Sequence, residues 1–455
     1  MSNEKIALLP GPLFIIAFAT FLALVVFTAP LTTLDAMTET HALSASGQAW
    51  VMSGMPLGAA CGLLTAGALG DTLGRRAVFV GGLWLTVLSS IGAAFAPNGL
   101  ILILMRIIQG LGSAGLMACG LGLLGQIHTG QARQQAAGIW AASLGGGVAA
   151  GPILASLAMM TAGWPTIHIL IAIISAILAL AAQSRLPESP RKEEPVDLLG
   201  SLLLIIGLGC LLSALTEVRF GLTPLVWSLL CVGLVLLAVF FVLEKRLSNP
   251  ILQVELFART DFSGATLAAF ASGAGVLALM SMVPTVLVRG NDVAPMMTSV
   301  ILLAWSGVTV FSAIGANYLP AGLTPRNRVI LAIFGCAVGQ LLLLVINPGT
   351  SWLWVLPGLF IAGIANGVLN ASLGHAAVES VPDDRSAMGS AANNTARYLG
   401  SALGIALISI LIANTGGETL FLRWHEAVLA TTAFSIVGAI AMILMARRRT
   451  RLSGS

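Results

Sequence analysis

Two arginines stand where arginines are costly. Arg106 falls inside the apolar run 100–126 and Arg397 inside the run 386–413. A guanidinium in a bilayer is retained where it faces the interior of a helix bundle and serves function. Arg106 lies about six residues inside its run, roughly 9 Å at 1.5 Å per residue, so a snorkelling flank residue is the weaker reading. Gln109 and Gly110 follow it in the order R-I-I-Q-G. Asp35 lies in the same outer half of the bilayer, so an ion pair with Arg106 is one reading and a solvated loop acid the other. Arg397 has Asn393 and Asn394 close by, about two to three turns into its run. With Asn366 and Asn370 of the preceding run, they are candidates to line a cavity for a small-molecule substrate.

A second charged cluster sits at a run boundary. Residues 67–76 read GALGDTLGRR. Gly70 and Gly74 permit a turn that residues with a β-carbon resist. Asp71 suits a helix N-terminus, where the dipole favours an anion. A generic positive membrane flank explains Arg75 and Arg76 but not the glycine–acid–glycine order. Gly67, Asp71, Gly74, Arg75 and Arg76 therefore read as a tight cytoplasmic hinge between two spans. A third feature has no charge at all. Ser143, Gly147, Gly151 and Ala155 recur every four residues, a small-residue stripe that lets another helix approach closely. Pro152 adds a bend to that helix.

The elements that must carry these residues are membrane helices. The 455-residue chain is 57% hydrophobic and only 9% charged, and its mean hydropathy is +0.97. Soluble proteins carry about a quarter charged residues. A cleaved signal peptide is not expected, because no A-x-A-like site leads into a polar mature domain. A membrane helix needs about 20 apolar residues. Such runs lie near 13–34, 48–69, 77–96, 100–126, 134–159, 166–185, 198–217, 224–244, 263–288, 294–318, 328–346, 352–378, 386–413 and 425–446. The expectation is an all-α membrane protein with fourteen transmembrane helices.

Charge placement supports the even number. With both termini cytoplasmic, of the 22 Lys and Arg only Arg219, Arg289 and Arg423 fall outside, and Arg106 and Arg397 lie within spans. That split follows the positive-inside rule. The net charge of +4 therefore reports topology, and no nucleic-acid partner is expected. The five cysteines lie in apolar runs without C-x-x-C spacing, so no metal site or disulfide framework is indicated. The stretch 186–197 holds three prolines that stop helices. The stretch 248–262 mixes apolar and charged residues and reads as an interfacial segment, a short amphipathic helix. The basic tail at 447–451 reads as an inner-leaflet anchor.

The chain also repeats weakly. Gln109-Gly110 corresponds to Asn366-Gly367, and Arg133 before Gly138 to Arg385 before Gly389. Residues 319–328 degenerately echo the 67–76 turn without its aspartate. Such duplication characterises transporters built of two halves. It divides the chain into an N-terminal six-helix bundle at 1–186, a linker with two inserted helices at 187–262, and a C-terminal six-helix bundle at 263–455. His375, Glu379 and Glu217 are weaker titratable candidates, and His128, His168 and His425 read as structural residues at membrane interfaces. No H-E-x-x-H, G-x-S-x-G or GxxxxGK[ST] occurs, so neither hydrolysis nor ATP-driven pumping has support and no enzyme or cofactor is expected.

The turn at 67–76 resembles the loop between the second and third spans of the major facilitator superfamily, roughly G-x-L-a-D-r-x-G-R-r, with Thr72 in place of the usual basic residue. In that family the loop locks the cytoplasmic side shut. The family also has an arginine and glutamine at the positions of Arg106 and Gln109, which implies proton coupling, with Asp35 as a further candidate. Gly138, Gly147, Gly151 and Pro152 match G-x8-G-x3-G-P, a pattern of the family's exporters, whose closing glycine pair is Ala155 and Ser156 here. The stretch 393–404 resembles the fourteen-span drug:proton antiporter branch, as Trp50, Pro56 and Leu57 do loosely. The resemblance implies a multi-pass inner-membrane exporter of lipophilic small molecules, a monomer that exchanges them for protons. That branch usually carries an aspartate in span one, and Phe21 stands there. A proton-independent metabolite or lipid-like carrier is therefore the alternative.

Overall fold

Apolar runs bounded by caps become helices in the computed structural model, which describes residues 10–189, 197–218, 221–247, 250–316, 319–320, 322–381, 386–412 and 415–452. The proline-rich stretch 190–196, Lys5, Arg219 and Arg385 lie outside the described residues, as do the side chains of Arg133 and of the tail at 447–451. The described residues are helical with no strand. In chain order they form α1 (Pro10–Thr28), α2 (Pro30–His41), α3 (Ala45–Leu73), α4 (Arg75–Ala94), α5 (Gly99–Ile127), α6 (Gly130–Ala162), α7 (Pro165–Arg185), α8 (Leu198–Glu217) and α9 (Pro224–Glu244). After these come α10 (Thr260–Ser272), α11 (Ala278–Asn291), α12 (Pro295–Gly315), α13 (Pro325–Leu342), α14 (Leu356–Glu379), α15 (Ser386–Ile412) and α16 (Gly417–Leu452).

Local chemistry sets many of the boundaries. Side-chain oxygens of Ser44, Asn98, Asp197, Thr223 and Thr324 accept from the first free N–H groups of α3, α5, α8, α9 and α13, satisfying donors that a helix start leaves unpaired. The first expected span is broken in two. Pro30 cannot donate the i→i−4 bond, so α1 stops at Thr28 and α2 starts at Pro30. The ninth span is one path through α10, a π-turn at Gly273–Leu277, and α11. Of the stretch 248–262, the described residues hold a short 3₁₀ turn, Val254–Ala258, ahead of α10. Ile251, Leu252 and Leu256 are buried there while Phe257 is exposed.

Thirteen helical stretches among the described residues are long and apolar enough to cross a bilayer. The fourteenth expected span is α8, whose apolar stretch Leu199–Leu215 is shorter than the others. The pairing of helices repeats. In the first part α3 packs on α5, α4 on α5 and α7, and α1 on α6. In the last part α12 packs on α14, α13 on α14 and α16, and α10 on α15. Two six-helix bundles thus share one plan. The inserted helices α8 and α9 pair with each other, and α8 alone leans on α3 and α15. The bundles meet along two corresponding seams, α3 against α15 and α6 against α12. Large side chains of α9, α4 and α7 face outward, as a lipid-facing rim requires.

Candidate functional site

The crossing of α1, α3 and α5 holds the most polar buried cluster. Glycine makes it possible: a β-carbon on Gly58 of α3 would strike the Ile107 carbonyl, and one on Gly110 of α5 would strike that of Met55. The backbones therefore nearly touch, and Arg106 of α5 reaches carbonyls on both neighbours. Its Nε donates to Val51 O at 3.2 Å and its Nη1 to Val26 O at 2.8 Å, while Nη2 lies 3.5 Å from Phe27 O. The Val26 bond has a cause in the sequence. Its usual donor would be the N–H four residues on, and Pro30 has none. Arg106 fills that vacancy from another helix.

Nη1 also donates to Gln109 Oε1 at 2.7 Å. Gln109 Nε2 then donates to Ser90 Oγ on α4 at 3.1 Å and faces His168 Nδ1 on α7 at 3.4 Å. Arg106, Gln109 and His168 are each 0% exposed. The chain of contacts thus runs from α1 through α5 to α4 and α7. Of the two readings for Asp35, the pair with Arg106 is not formed. Asp35 Oδ1 instead accepts from Arg289 Nε of α11 at 2.7 Å, and Arg289 Nη2 donates to Gln48 Oε1 of α3 at 2.9 Å. Asp35 lies on α2, past the Pro30 break, and α2 packs on α6, α11 and α3. Arg289 and Gln48 tie the two bundles together at this end, and no motif in the sequence marks either for that part.

At the opposite end the 67–76 turn forms as expected, but its parts are assigned differently. Gly74 joins α3 to α4 with φ at +103°, a conformation that only glycine adopts without strain. Asp71 lies in the last turn of α3 and accepts from Arg75 Nη2 at 3.1 Å. It does not cap the following helix. Glu188, from the stretch after α7, accepts from Arg76 N at 3.1 Å, and Ser189 Oγ accepts from Arg75 N at 2.7 Å. Arg76 completes the clamp by pairing with Glu188 and donating to Leu186 O at 3.1 Å. The anion at the α4 N-terminus is therefore a residue over a hundred positions away. Gly67 has open space around it.

The small-residue stripe on α6 packs as its spacing implies. β-carbons at Gly147 and Gly151 would strike Phe21 O and Thr28 Oγ1 of α1, so α1 and α6 lie in close contact. Pro152 O accepts from Thr32 Oγ1 at 3.2 Å and from Ser299 Oγ of α12 at 3.0 Å. Ser156 and Ser299 lie 2.9 Å apart across the same seam. Gly138 has nothing within 4 Å and takes no part.

The C-terminal polar residues separate into three groups. Arg397 Nη1 donates to Asn370 Oδ1 at 2.9 Å, joining α15 to α14. Asn366 Nδ2 donates to Thr309 Oγ1 at 3.4 Å and Asn393 Nδ2 to Ala265 O at 3.2 Å, so both hold neighbouring helices. Asn394 bonds to Ser390 O of its own helix at 3.1 Å. Tyr398, beside Arg397, stacks edge-on to Phe27 of α1 with ring centres 6.3 Å apart. Phe14, Phe18 and Phe21 stack in series along α1, and Phe14 is 63% exposed at one end. An apolar cleft of about 280 Å³ opens between α1, α6 and α7, lined by Leu22, Leu154, Leu157, Thr161, Leu170 and Ile174 among others. Among the described residues no group of three or more His, Cys, Asp or Glu is placed to hold a metal.

The Major Facilitator Superfamily profile matches residues 16–405. Similar curated proteins include the methylenomycin A resistance protein of Bacillus subtilis, 28% identical over 412 residues, covering 89% of this chain and 86% of that one. The puromycin resistance protein pur8 of Streptomyces alboniger is 29% identical and covers 86% of this chain and 78% of its own. The multidrug resistance protein Stp of Mycobacterium tuberculosis is 27% identical, covering 86% and 73%. Among solved structures, the POT family transporter PepTSo superposes with a TM-score of 0.71 at 14% identity, covering 97% of this chain and 99% of that one. At that identity the likeness speaks for the fold.

Proposed function

The chain belongs to the major facilitator superfamily, and from that premise we propose that it exports lipophilic or drug-like small molecules by alternating access, in exchange for protons. Direction rests on the relatives, which are named for drug resistance, and on the exporter pattern carried by α6. The observation that carries the alternating step is the nature of the seams. They are crossed by replaceable polar ties: Asp35–Arg289–Gln48 at one end and Ser156–Ser299 along α6 and α12. Ties of this kind can break and re-form without leaving a buried charge alone.

The moving units in this reading are residues 1–186 and 263–455, with 187–262 riding between them. The protein acts as a monomer in the inner membrane, both termini cytoplasmic. The 67–76 clamp holds the cytoplasmic end and the Asp35 tie the outer end. The substrate meets the α1 aromatic series and the Arg397–Asn370 pair. A proton-independent carrier is the second reading. Phe21 at the usual acidic position favours it, as does an Arg106 whose partners are carbonyls and an amide rather than a carboxylate. Dissipating the proton gradient in cells expressing the chain decides between them. Antiport predicts that substrate retention rises on uncoupling. Unchanged efflux leaves only the carrier.

A further inference from the structure

We propose that His168 is the residue that carries the exchanged proton, and that the Gln109 amide passes its protonation state to Arg106. This rests on the antiport reading and supplies the titratable group that Phe21 does not.

The argument begins with what each group can donate. An arginine has five N–H donors and no acceptor. The 2.7 Å contact from Arg106 Nη1 can therefore meet only the oxygen of the Gln109 amide. That fixes the amide's orientation and points its NH₂ toward Ser90 Oγ and His168 Nδ1. Nδ1 must then be the bare, accepting nitrogen, and the ring proton sits on Nε2. Nε2 is buried with no hydrogen-bond partner. A fully buried imidazole with one nitrogen committed and the other unpaired is an expensive structural residue, since an unmade buried hydrogen bond costs about 1–3 kcal/mol.

A proton added at Nδ1 forms an N–H bond that faces the amide NH₂, donor against donor. The contact survives only if the amide turns over. Oε1 then accepts from His168, and NH₂ faces the Arg106 guanidinium, which cannot accept. The 2.7 Å bond breaks, and Arg106 keeps only its carbonyls on α1 and α3. Loss of the proton from Nδ1 reverses each step. One proton thus changes what joins α5 to α7, while Arg106 remains the hub of α1, α3 and α5.

Charged neighbours do not offer another carrier. Arg106 is the formal charge that faces His168 from α5. The charges of α4 and α7 lie at the other end of those helices, in Arg75, Arg76 and Arg185, as does Arg133 in the sequence of α6, and α1 has none within its bounds. On α2, Asp35 is paired with Arg289 and Glu39 is exposed. His41 of α2 is the other titratable group. Its ring packs edge-on to Trp164, which packs edge-on to His168, with centres 5.6 and 5.9 Å apart. Trp164 therefore stands between the buried imidazole and the Asp35 end, hydrogen-bonded to Thr40 at 3.0 Å. Displacing Trp164 is what exposes His168 to protons.

The test uses the full-length chain in liposomes with puromycin as the probe. It compares the parent with His168→Asn, which keeps an acceptor near the Nδ1 position but takes no proton. Gradient-driven accumulation and gradient-free counterflow are measured separately. The parent is expected to accumulate puromycin by up to about tenfold per pH unit for one-for-one exchange. His168→Asn is expected to lose that accumulation while keeping counterflow within about twofold of the parent, since binding and rocking are retained. A variant still driven by the gradient overturns the role of His168 and leaves antiport standing. A parent that counterflows but ignores the gradient overturns both. A second measurement is independent of the probe and of the variant's folding. Imidazole ¹⁵N resonances of the parent and of Thr40→Val, which removes the acceptor that holds the Trp164 N–H, are followed from pH 8 to pH 5 in nanodiscs. His168 is expected to take its second proton at higher pH in Thr40→Val, together with a shift of the Gln109 amide signal. A ring that stays singly protonated in both overturns the proposal.

Discussion

Arg106 owes its setting to a proline on a different helix. Pro30 leaves the Val26 carbonyl without a helical donor, and the guanidinium supplies one at 2.8 Å. This predicts a coupling measurable by a double-mutant cycle. Arg106→Ala leaves that carbonyl unpaired in the interior, a loss of about 1–3 kcal/mol. In a Pro30→Ala background the helix can make the bond itself, so the melting temperature should fall less on removing Arg106. Additive losses would mean that the two positions are independent. Arg106→Lys should abolish efflux as Ala does, because one ammonium cannot span Val26, Val51 and Gln109 with the reach of a planar fork. At the other end, Gly74→Ala forces a β-carbon into φ +103° and against Glu188. A destabilisation of about 1–3 kcal/mol is expected from strain alone, read as a lowered melting temperature in detergent.

At the scale of helices, the glycines sort by what lies opposite them. Gly147 and Gly151 face α1 so closely that side chains there must push the two helices apart. Gly151→Val should cost about 1–3 kcal/mol of packing and reduce efflux sharply with the chain still inserted in the membrane. Gly138→Val, with open space around it, should leave efflux near the parent level. Equal losses at both positions would show that the pattern acts through backbone freedom rather than helix contact. The π-turn at Gly273–Leu277 lies where α10 and α15 approach closely, since β-carbons on Gly273 and Gly400 would strike Arg397 O and Phe270 O. Glycine periodicity in the sequence marks such crossings. It does not reveal the extra residue per turn, because a π-turn is set by the helix packed against it.

For the molecule as a whole, the two bundles are tied at the Asp35 end by partly exposed charges. A pair of that exposure contributes about 0.2–1 kcal/mol. Asp35→Asn should therefore shift the balance of open and closed outer states by up to about fivefold without unfolding either bundle. Spin labels at Glu39 and Asp292, both exposed on the two sides of the tie, should report a larger long-distance population. Exchanging the charges, with Asp35→Arg and Arg289→Asp together, should return the parent distribution. If the single change leaves the distances alone, the packing of α3 on α15 and of α6 on α12 carries the closure instead.

The order of the membrane helices was legible from apolar runs, because a bilayer forces every span to satisfy its own backbone; of the fourteen expected, thirteen are long and apolar enough among the described residues. Gly74, the α6 stripe and the buried status of Arg106 were legible for the same kind of reason: each is a local demand on one residue type. The partners were not. Asp35, open in the sequence between Arg106 and solvent, meets Arg289; Asp71 suits a helix start that Glu188 occupies; and His168, which reads as a residue at a membrane interface, is set by α7 beside Gln109. Those pairings join residues that lie between about sixty and 250 positions apart. Which side chain fills a given gap depends on how helices bend and cross, and only the packed bundle fixes that.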